Sequence, residues 1–185
     1  MSADEGEAAG CRLLLRVEGP VDPGAFGLAR LAGVVASGDA LREVVGPARA
    51  AGKAVFASND AALAAEAGAD GVLLDGADGV ADARRTLGAD ALIGARCGLS
   101  RHAAMVAGEA GADYVVFAAD GADADDLVEM VAWWTGLFVL PSVAVLAPDG
   151  PAYALALAGA DFLLVDDATR LAALDGLLPP LPQGS

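Results

Sequence analysis

The chain has 185 residues, a formal net charge of −15, 56% hydrophobic residues, 11 basic side chains and one histidine. That length suits a single domain with its own core, and a mean hydropathy of +0.52 excludes a disordered chain. The basic residues are scattered singly on an acidic background, which argues against nucleic-acid binding and against docking on anionic membranes.

Candidate elements alternate along the whole sequence. Strands are expected at Arg12–Val17, Gly33–Ala36, Ala54–Ser58, Gly71–Asp75, Ala91–Ala95, Tyr114–Ala118, Ser142–Ala147 and Phe162–Val165. Helices are expected between and after them, at Phe26–Leu31, Ala40–Ala51, Ala61–Ala67, Val80–Leu87, Arg101–Ala110, Ala124–Trp134, Pro151–Ala158 and Ala168–Leu177. The sharpest signal is a repeated phrase. Ala67-Gly68-Ala69-Asp70, Ala110-Gly111-Ala112-Asp113 and Ala158-Gly159-Ala160-Asp161 each precede a short apolar run, and Leu87-Gly88-Ala89-Asp90 is a weaker copy. In each, glycine suits the left-handed position just past a helix, and the apolar run suits a strand covered on both faces.

Eight such units in a chain this short predict an α/β fold, a compact single-domain (β/α)8 TIM barrel with minimal loops. An open doubly wound sheet would want a GxGxxG turn after the first strand, where Glu18-Gly19-Pro20 stands instead. The expected organisation is an acidic N-terminal tail over residues 1–10, the barrel over 11–178 and a Pro-rich tail over 179–185. The uncharged stretch Met130–Pro148 is long enough to raise a membrane helix, but Gly136 and Pro141 divide it into a helix end and a strand. Cys11 and Cys97 lack CxxC spacing and read as isolated thiols of a reducing compartment. The acidic start Met1–Glu7 carries no signal-peptide pattern, so a cytoplasmic location is expected.

In a barrel, chemistry sits at the C-terminal ends of the strands. Those ends supply Arg16 and Glu18, Ser37 and Asp39, Asn59 and Asp60, Asp75 and Asp78, Arg96 with Arg101 and His102, Asp120, and Asp166 with Asp167. Asn59, Asp60 and Asp78 end adjacent strands and have the oxygen donors a hard cation such as Mg²⁺ takes. The same residue types are favoured helix N-caps, and both readings stay open on the residues alone. A single histidine excludes a multi-histidine metal site, and His102 reads as a solvated residue in a first helical turn. Of the adjacent Trp133 and Trp134, one is expected to pack on the barrel and the other to be part-exposed.

Several of these segments resemble the thiamine phosphate synthase family and its thiazole tautomerase-like relatives. Ser58-Asn59-Asp60 is similar to the third-strand Asn-Asp motif of that family, and Gly68-Ala-Asp-Gly-Val-Leu-Leu with Asp78 to the fourth-strand segment that ends in a metal-binding aspartate. Ser100 to Phe117, Trp133-Trp134 and Pro141-Ser-Val-Ala-Val continue the likeness, which covers the chain from about Ala54 onward. The resemblance implies a (β/α)8 barrel. It implies Mg²⁺-dependent coupling of hydroxymethylpyrimidine diphosphate to a thiazole phosphate with loss of pyrophosphate, so the partners would be small phosphorylated metabolites. On this basis Asp60 and Asp78 would be metal ligands and Asn59 catalytic and substrate-binding; outside the matched motifs, Arg96 is a candidate catalytic and substrate-binding residue, and Arg101 and Asp39 are candidates for substrate binding. Relatives often form oligomers, which leaves a homo-oligomer open.

The chain also departs from that pattern. Where the family carries a Gln, Arg and Lys cluster after the second strand, Val34-Val-Ala-Ser-Gly-Asp39 stands. Ala118–Asp126 has neither the threonines nor the lysine of the Thr-x-Thr-Lys loop, and Leu146-Ala147-Pro148 replaces a Gly-Gly-Ile turn. Arg96 stands where a small polar residue is usual, and Asp166-Asp167 ends the eighth strand near the expected phosphate. Three functions follow as alternatives: a divergent synthase acting in thiamine biosynthesis; a catalytically inactive paralogue kept for binding or regulation; and an enzyme for a less phosphorylated substrate, using Asp39, Asp75 and Asp120 for acid–base work.

Overall fold

A computed structural model describes residues 10–182. Eight parallel strands close in sequence order into a barrel, each strand hydrogen-bonded to the next and the eighth to the first. They are β1 (Arg12–Val17), β2 (Leu31–Ala36), β3 (Ala54–Ser58), β4 (Gly71–Leu74), β5 (Leu92–Gly98), β6 (Tyr114–Phe117), β7 (Ser142–Val145) and β8 (Phe162–Val165). Around them run α1 (Gly38–Ala50), α2 (Ala61–Ala67), α3 (Val80–Leu87), α4 (Arg101–Glu109), α5 (Ala124–Thr135), α6 (Ala152–Leu157) and α7 (Leu171–Leu177). The expected (β/α)8 barrel is therefore the observed fold.

Strand alternation divides the core into two layers. Leu13 and Leu15 of β1 face the helices and join Val34, Val55, Ile93, Phe117 and Trp134 in the larger cluster. Leu14 faces inward, with Val35, Phe56, Leu73, Tyr114, Val116, Val143 and Leu164 filling the barrel. Gly94 on β5 lies where any Cβ would overlap the Tyr114 ring, so its missing side chain admits that ring to the barrel interior. Tyr114 is then edge-on to Phe56, with ring centroids 5.8 Å apart.

The repeated phrase has a second role beyond ending a helix. The aspartate that closes each full copy turns back to the preceding strand and accepts its first free N–H: Val55 N to Asp70 Oδ2 at 2.8 Å, Ile93 N to Asp113 Oδ2 at 2.7 Å and Ser142 N to Asp161 Oδ2 at 2.8 Å. These are charge-assisted bonds that fix the register of β3, β5 and β7 against β4, β6 and β8. At the corresponding place before β2 stands Arg30, whose guanidinium reaches the Cys11 carbonyl at 2.6 Å, the Asp175 carboxylate at 2.6 Å and the Pro179 carbonyl at 2.9 Å. Arg30 is buried and ties β1, β2 and α7 together at the N-terminal end of the barrel.

Several boundaries differ from expectation. The first connection holds no α-helix: Phe26 lies in a 3-10 turn, Pro23–Gly27, capped by Asp22, and β2 starts at Leu31 rather than Gly33. Two prolines and three glycines between Gly19 and Gly27 leave too few helix-forming residues for a longer element. β5 extends to Gly98, so Arg96 and Cys97 belong to the strand, with an irregularity against β6 between Arg96 and Gly98. The last helix divides into a 3-10 turn, Ala168–Arg170, and α7. The stretch Met130–Pro148 is divided between α5 and β7, and no described helix is long and apolar enough to cross a membrane. Of the two expected tails, residues 1–9 and 183–185 lie outside the described part, while Pro179 is held by Arg30.

Candidate functional site

At the C-terminal ends of the strands a cavity of about 220 Å³ opens among Arg16, Ser37, Ser58, Asp75, Arg96 and Val116. Strand alternation puts them there: Arg16 lies two residues beyond Leu14, and Ser58 two beyond Phe56, on the face that fills the barrel. β1 and β5 stand opposite one another in the eight-stranded ring, so the two guanidinium groups approach the cavity from opposite sides.

Both arginines meet a carboxylate from the neighbouring strand end. Arg16 Nη1 lies 3.5 Å from Asp166 Oδ1, just past β8, and Arg96 is ion-paired and hydrogen-bonded with Asp120, just past β6. Asp120 adopts a left-handed backbone with φ of 49°, uncommon outside glycine though tolerated by Asp and Asn. The next residue, Gly121, is also left-handed, with φ of 93°. Beside this pair, a second cavity of about 270 Å³ is lined by Ala118, Asp120, Val145, Leu146, Ala147 and Asp166 among others. Apolar groups and two acids thus occupy the place where the resemblance expects a phosphate.

The predicted site residues separate into those that gather at the mouth and those that do not. Arg96 lines the cavity. Asn59, with φ of 54°, donates its backbone N–H to the Leu73 carbonyl at 2.7 Å, and its Oδ1 accepts the Asp75 N–H at 3.2 Å. It thereby binds the end of β3 to the loop after β4. Asp60 is the N-cap of α2, its Oδ1 accepting the Leu63 N–H at 2.8 Å. Asp78 is exposed and is not a cap, because Gly79 holds that position at α3 without a side-chain bond. The capping alternative therefore describes Asp60 and leaves Asp78 without a structural duty of that kind.

Arg101 and Asp39 stand elsewhere. The Arg101 guanidinium carbon lies 4.8 Å from the centre of the Trp133 ring, a cation–π contact on the outer layer. Asp39, in the first turn of α1, accepts from Arg42 at 3.1 Å on an exposed face. Trp134 is buried, bonds the Leu140 carbonyl at 2.8 Å and stacks on Phe138, so the pair divides as expected between core and surface. His102 is exposed on the first turn of α4. Asp167 accepts from the Thr169 hydroxyl at 2.7 Å, which holds its carboxyl below the usual range. Cys97 is buried under the mouth, and burial pushes its thiol up to about 11.

Among the described residues, no three His, Cys, Asp or Glu side chains are grouped closely enough to hold a metal by themselves. Mg²⁺ takes as few as one or two carboxylates and completes its shell with water and substrate phosphate; of the two expected ligands, Asp78 is exposed without a capping bond, while Asp60 commits Oδ1 to the Leu63 N–H. The pairing of the mouth arginines with Asp120 and Asp166 escaped the sequence reading. The signal for it was present, since each acid ends the strand next to its arginine in the ring.

Comparisons with known proteins agree with this architecture. A family model described as thiamine monophosphate synthase matches residues 36–120. A thiamine-phosphate synthase of Erythrobacter litoralis is 46% identical over 131 residues, an alignment covering 64% of this chain and 61% of that protein. One of Rhodospirillum centenum is 39% identical over 185 residues, covering 84% of this chain and 87% of its own length. Among solved structures, thiamine phosphate pyrophosphorylase from Pyrococcus furiosus superimposes with a TM-score of 0.69 at 17% identity, over 92% of this chain and 98% of that one. A phosphonomutase described as putative, from Burkholderia cenocepacia, gives 0.61 at 18%, a likeness of fold alone. With a relative this similar over nearly its whole length, the chain belongs to the thiamine-phosphate synthase family.

Proposed function

We propose that the chain is a transferase of thiamine biosynthesis that joins hydroxymethylpyrimidine diphosphate to thiazole phosphate and releases pyrophosphate. The observation that carries this reading is the placement of Arg16 and Arg96 on opposite sides of one cavity that Ser58 at the end of β3 also lines, with Asn59 and Asp60 next in sequence. Breaking the bond between the pyrimidine methylene and the diphosphate leaves negative charge on the leaving oxygens. Two guanidinium groups at the strand ends would meet that charge once released from their carboxylate partners, Asp166 and Asp120. Ser37 and Ser58 add hydroxyl donors to the same cavity, and Asn59 holds the β3 and β4 loops in a fixed relation. Mg²⁺ held by Asp60 and Asp78 would neutralise part of the diphosphate charge. The substrates are then small phosphorylated metabolites, and the location cytoplasmic, in keeping with the free thiols of Cys11 and Cys97.

The test is direct formation of thiamine phosphate from both phosphorylated substrates by the purified chain with Mg²⁺. An ordinary kcat is about 10 s⁻¹, and product formation below about 10⁻⁴ of that would overturn the transferase reading. A second reading, a family barrel that no longer turns over, is favoured by one observation: each mouth arginine already has a carboxylate partner. Calorimetry then finds no pyrophosphate binding with or without Mg²⁺. The acid–base reading for Asp39, Asp75 and Asp120 lacks a shared cavity, since Asp39 is turned to Arg42 and Asp120 to Arg96.

A further inference from the structure

We propose that Asp120 and Asp166 are internal counter-ions that determine which ligands the mouth accepts, so that an anionic group enters by exchange with these carboxylates on Arg96 and Arg16. The inference deepens the transferase reading, since it concerns the same arginines, but it is a statement about binding and can stand or fall separately.

Its basis is geometric. Each acid comes from the strand end adjacent to its arginine; the two arginines line the cavity that holds Ser37 and Ser58, and the two acids line the neighbouring cavity beside Ala118 and Leu146. The Asp120 carboxylate is carried on a backbone turn of positive φ, with Gly121 also left-handed after it. Neither pair is sequestered. Side-chain exposures are 26% for Arg16 and 60% for Asp166, and 31% for Arg96 and 54% for Asp120, so both pairs are screened by water. Pairs of this kind have small coupling energies. A phosphate oxygen set presents more acceptors and more charge to a guanidinium fork than one aspartate does. Exchange is accordingly favourable for a diphosphate and unfavourable for a ligand with a single weak acceptor. The two carboxylates raise the threshold for anion entry, and removing either lowers it.

The experiment measures inorganic pyrophosphate binding by calorimetry, without turnover, on the full chain and its variants. Asp120→Asn keeps the left-handed backbone, which asparagine also tolerates. Asp166→Asn tests the other pair independently should the first variant fold poorly. Each is expected to tighten pyrophosphate binding about two- to fivefold, the scale of one exposed ion pair. Glu109→Gln, at the far end of α4, changes net charge equally and should shift affinity less than twofold. In an Arg96→Met background the gain from Asp120→Asn should vanish. The proposal is overturned if both mouth variants bind no tighter than Glu109→Gln, or if the gain persists without Arg96. A chain that makes no thiamine phosphate yet shows the selective gain loses the transferase reading and keeps this one.

Discussion

The Asp113 carboxylate sits 2.7 Å from the Ile93 N–H and 2.6 Å from Arg84 Nη2, so one side chain fixes the start of β5 and anchors α3 to it. Arg84 extends the same knot to the Ala91 carbonyl at 2.5 Å and the Gly111 carbonyl at 3.2 Å. Asp113→Ala leaves a strand N–H and a guanidinium without their acceptor. The expected cost is about 1–3 kcal/mol, seen as a lower urea midpoint with an unchanged slope. Asp113→Asn keeps an acceptor and should cost less. Equal losses in the two variants would show that charge, rather than the hydrogen bond to Ile93, is what matters.

Arg30 presents the larger stability prediction. Its side chain is 4% exposed and bonds two carbonyls and Asp175. Arg30→Met removes a guanidinium while leaving the Cys11 and Pro179 carbonyls and the Asp175 carboxylate facing its place. Asp175 is 40% exposed and stays solvated, so the cost lies in the two carbonyls left without their donor, about 2–4 kcal/mol. Chemical denaturation of the variant should show it, whereas a loss below about 1 kcal/mol would mean that water replaces the arginine freely.

These two residues mark where the sequence was legible and where it was not. The repeated Ala-Gly-Ala-Asp phrase reports a local event, a helix end followed by a strand, and β3, α2, α3 and β8 lie where it and the apolar runs predict them. The bond from each aspartate to the previous strand is a tertiary fact. So is the role of Arg30, whose partner Asp175 is 145 residues away. Nothing in the local pattern around Ala29-Arg30-Leu31 distinguishes a buried guanidinium from a solvated one, and that pattern predicts a helix there where the structure has a 3-10 turn and the start of β2. At the mouth, residue types were legible but directions were not. Arg96 and Arg101 both follow from the fifth strand, yet strand parity sends the first into the cavity and helix geometry sends the second over Trp133.

Packing inside the barrel supplies a double-mutant test. Gly94 gives its space to the Tyr114 ring. Gly94→Ala forces the ring aside and should destabilise the fold by about 1–3 kcal/mol. In a Tyr114→Leu background the added methyl meets a smaller neighbour, and most of that penalty should disappear. Additive losses would place the strain elsewhere, in the β5 backbone itself.

Both cysteines are buried, and desolvation pushes the Cys11 thiol up to about 12 and Cys97 to about 11. In the unfolded chain a thiol titrates near its ordinary value of about 8.5. The folded state therefore holds more protons between those limits, and stability falls as pH rises from about 9 towards 11. Below the unfolded value this contribution is fully present. A thiol reagent at pH 8 should label neither cysteine in the native protein and both in urea. Rapid native labelling would contradict the burial of the modified residue.

Asp60 and Asp78 allow the metal role to be separated from the structural one. Asp60 caps α2 through Oδ1, and asparagine is an equally favoured N-cap. Asp60→Asn should therefore hold stability within about 0.5 kcal/mol, while Asp60→Ala costs about 1 kcal/mol. Asp78 is exposed without a capping bond, so Asp78→Asn should also be neutral for folding. If both carboxylates serve a divalent cation at the diphosphate, each Asn variant lowers turnover by on the order of 10²-fold or more. It also weakens the Mg²⁺ dependence of pyrophosphate binding measured by calorimetry, a readout independent of turnover. The conserved cap in Asp60→Asn makes any loss attributable to the missing charge. Unchanged Mg²⁺ dependence in both variants would remove the pair from the site and leave Asp60 with capping alone.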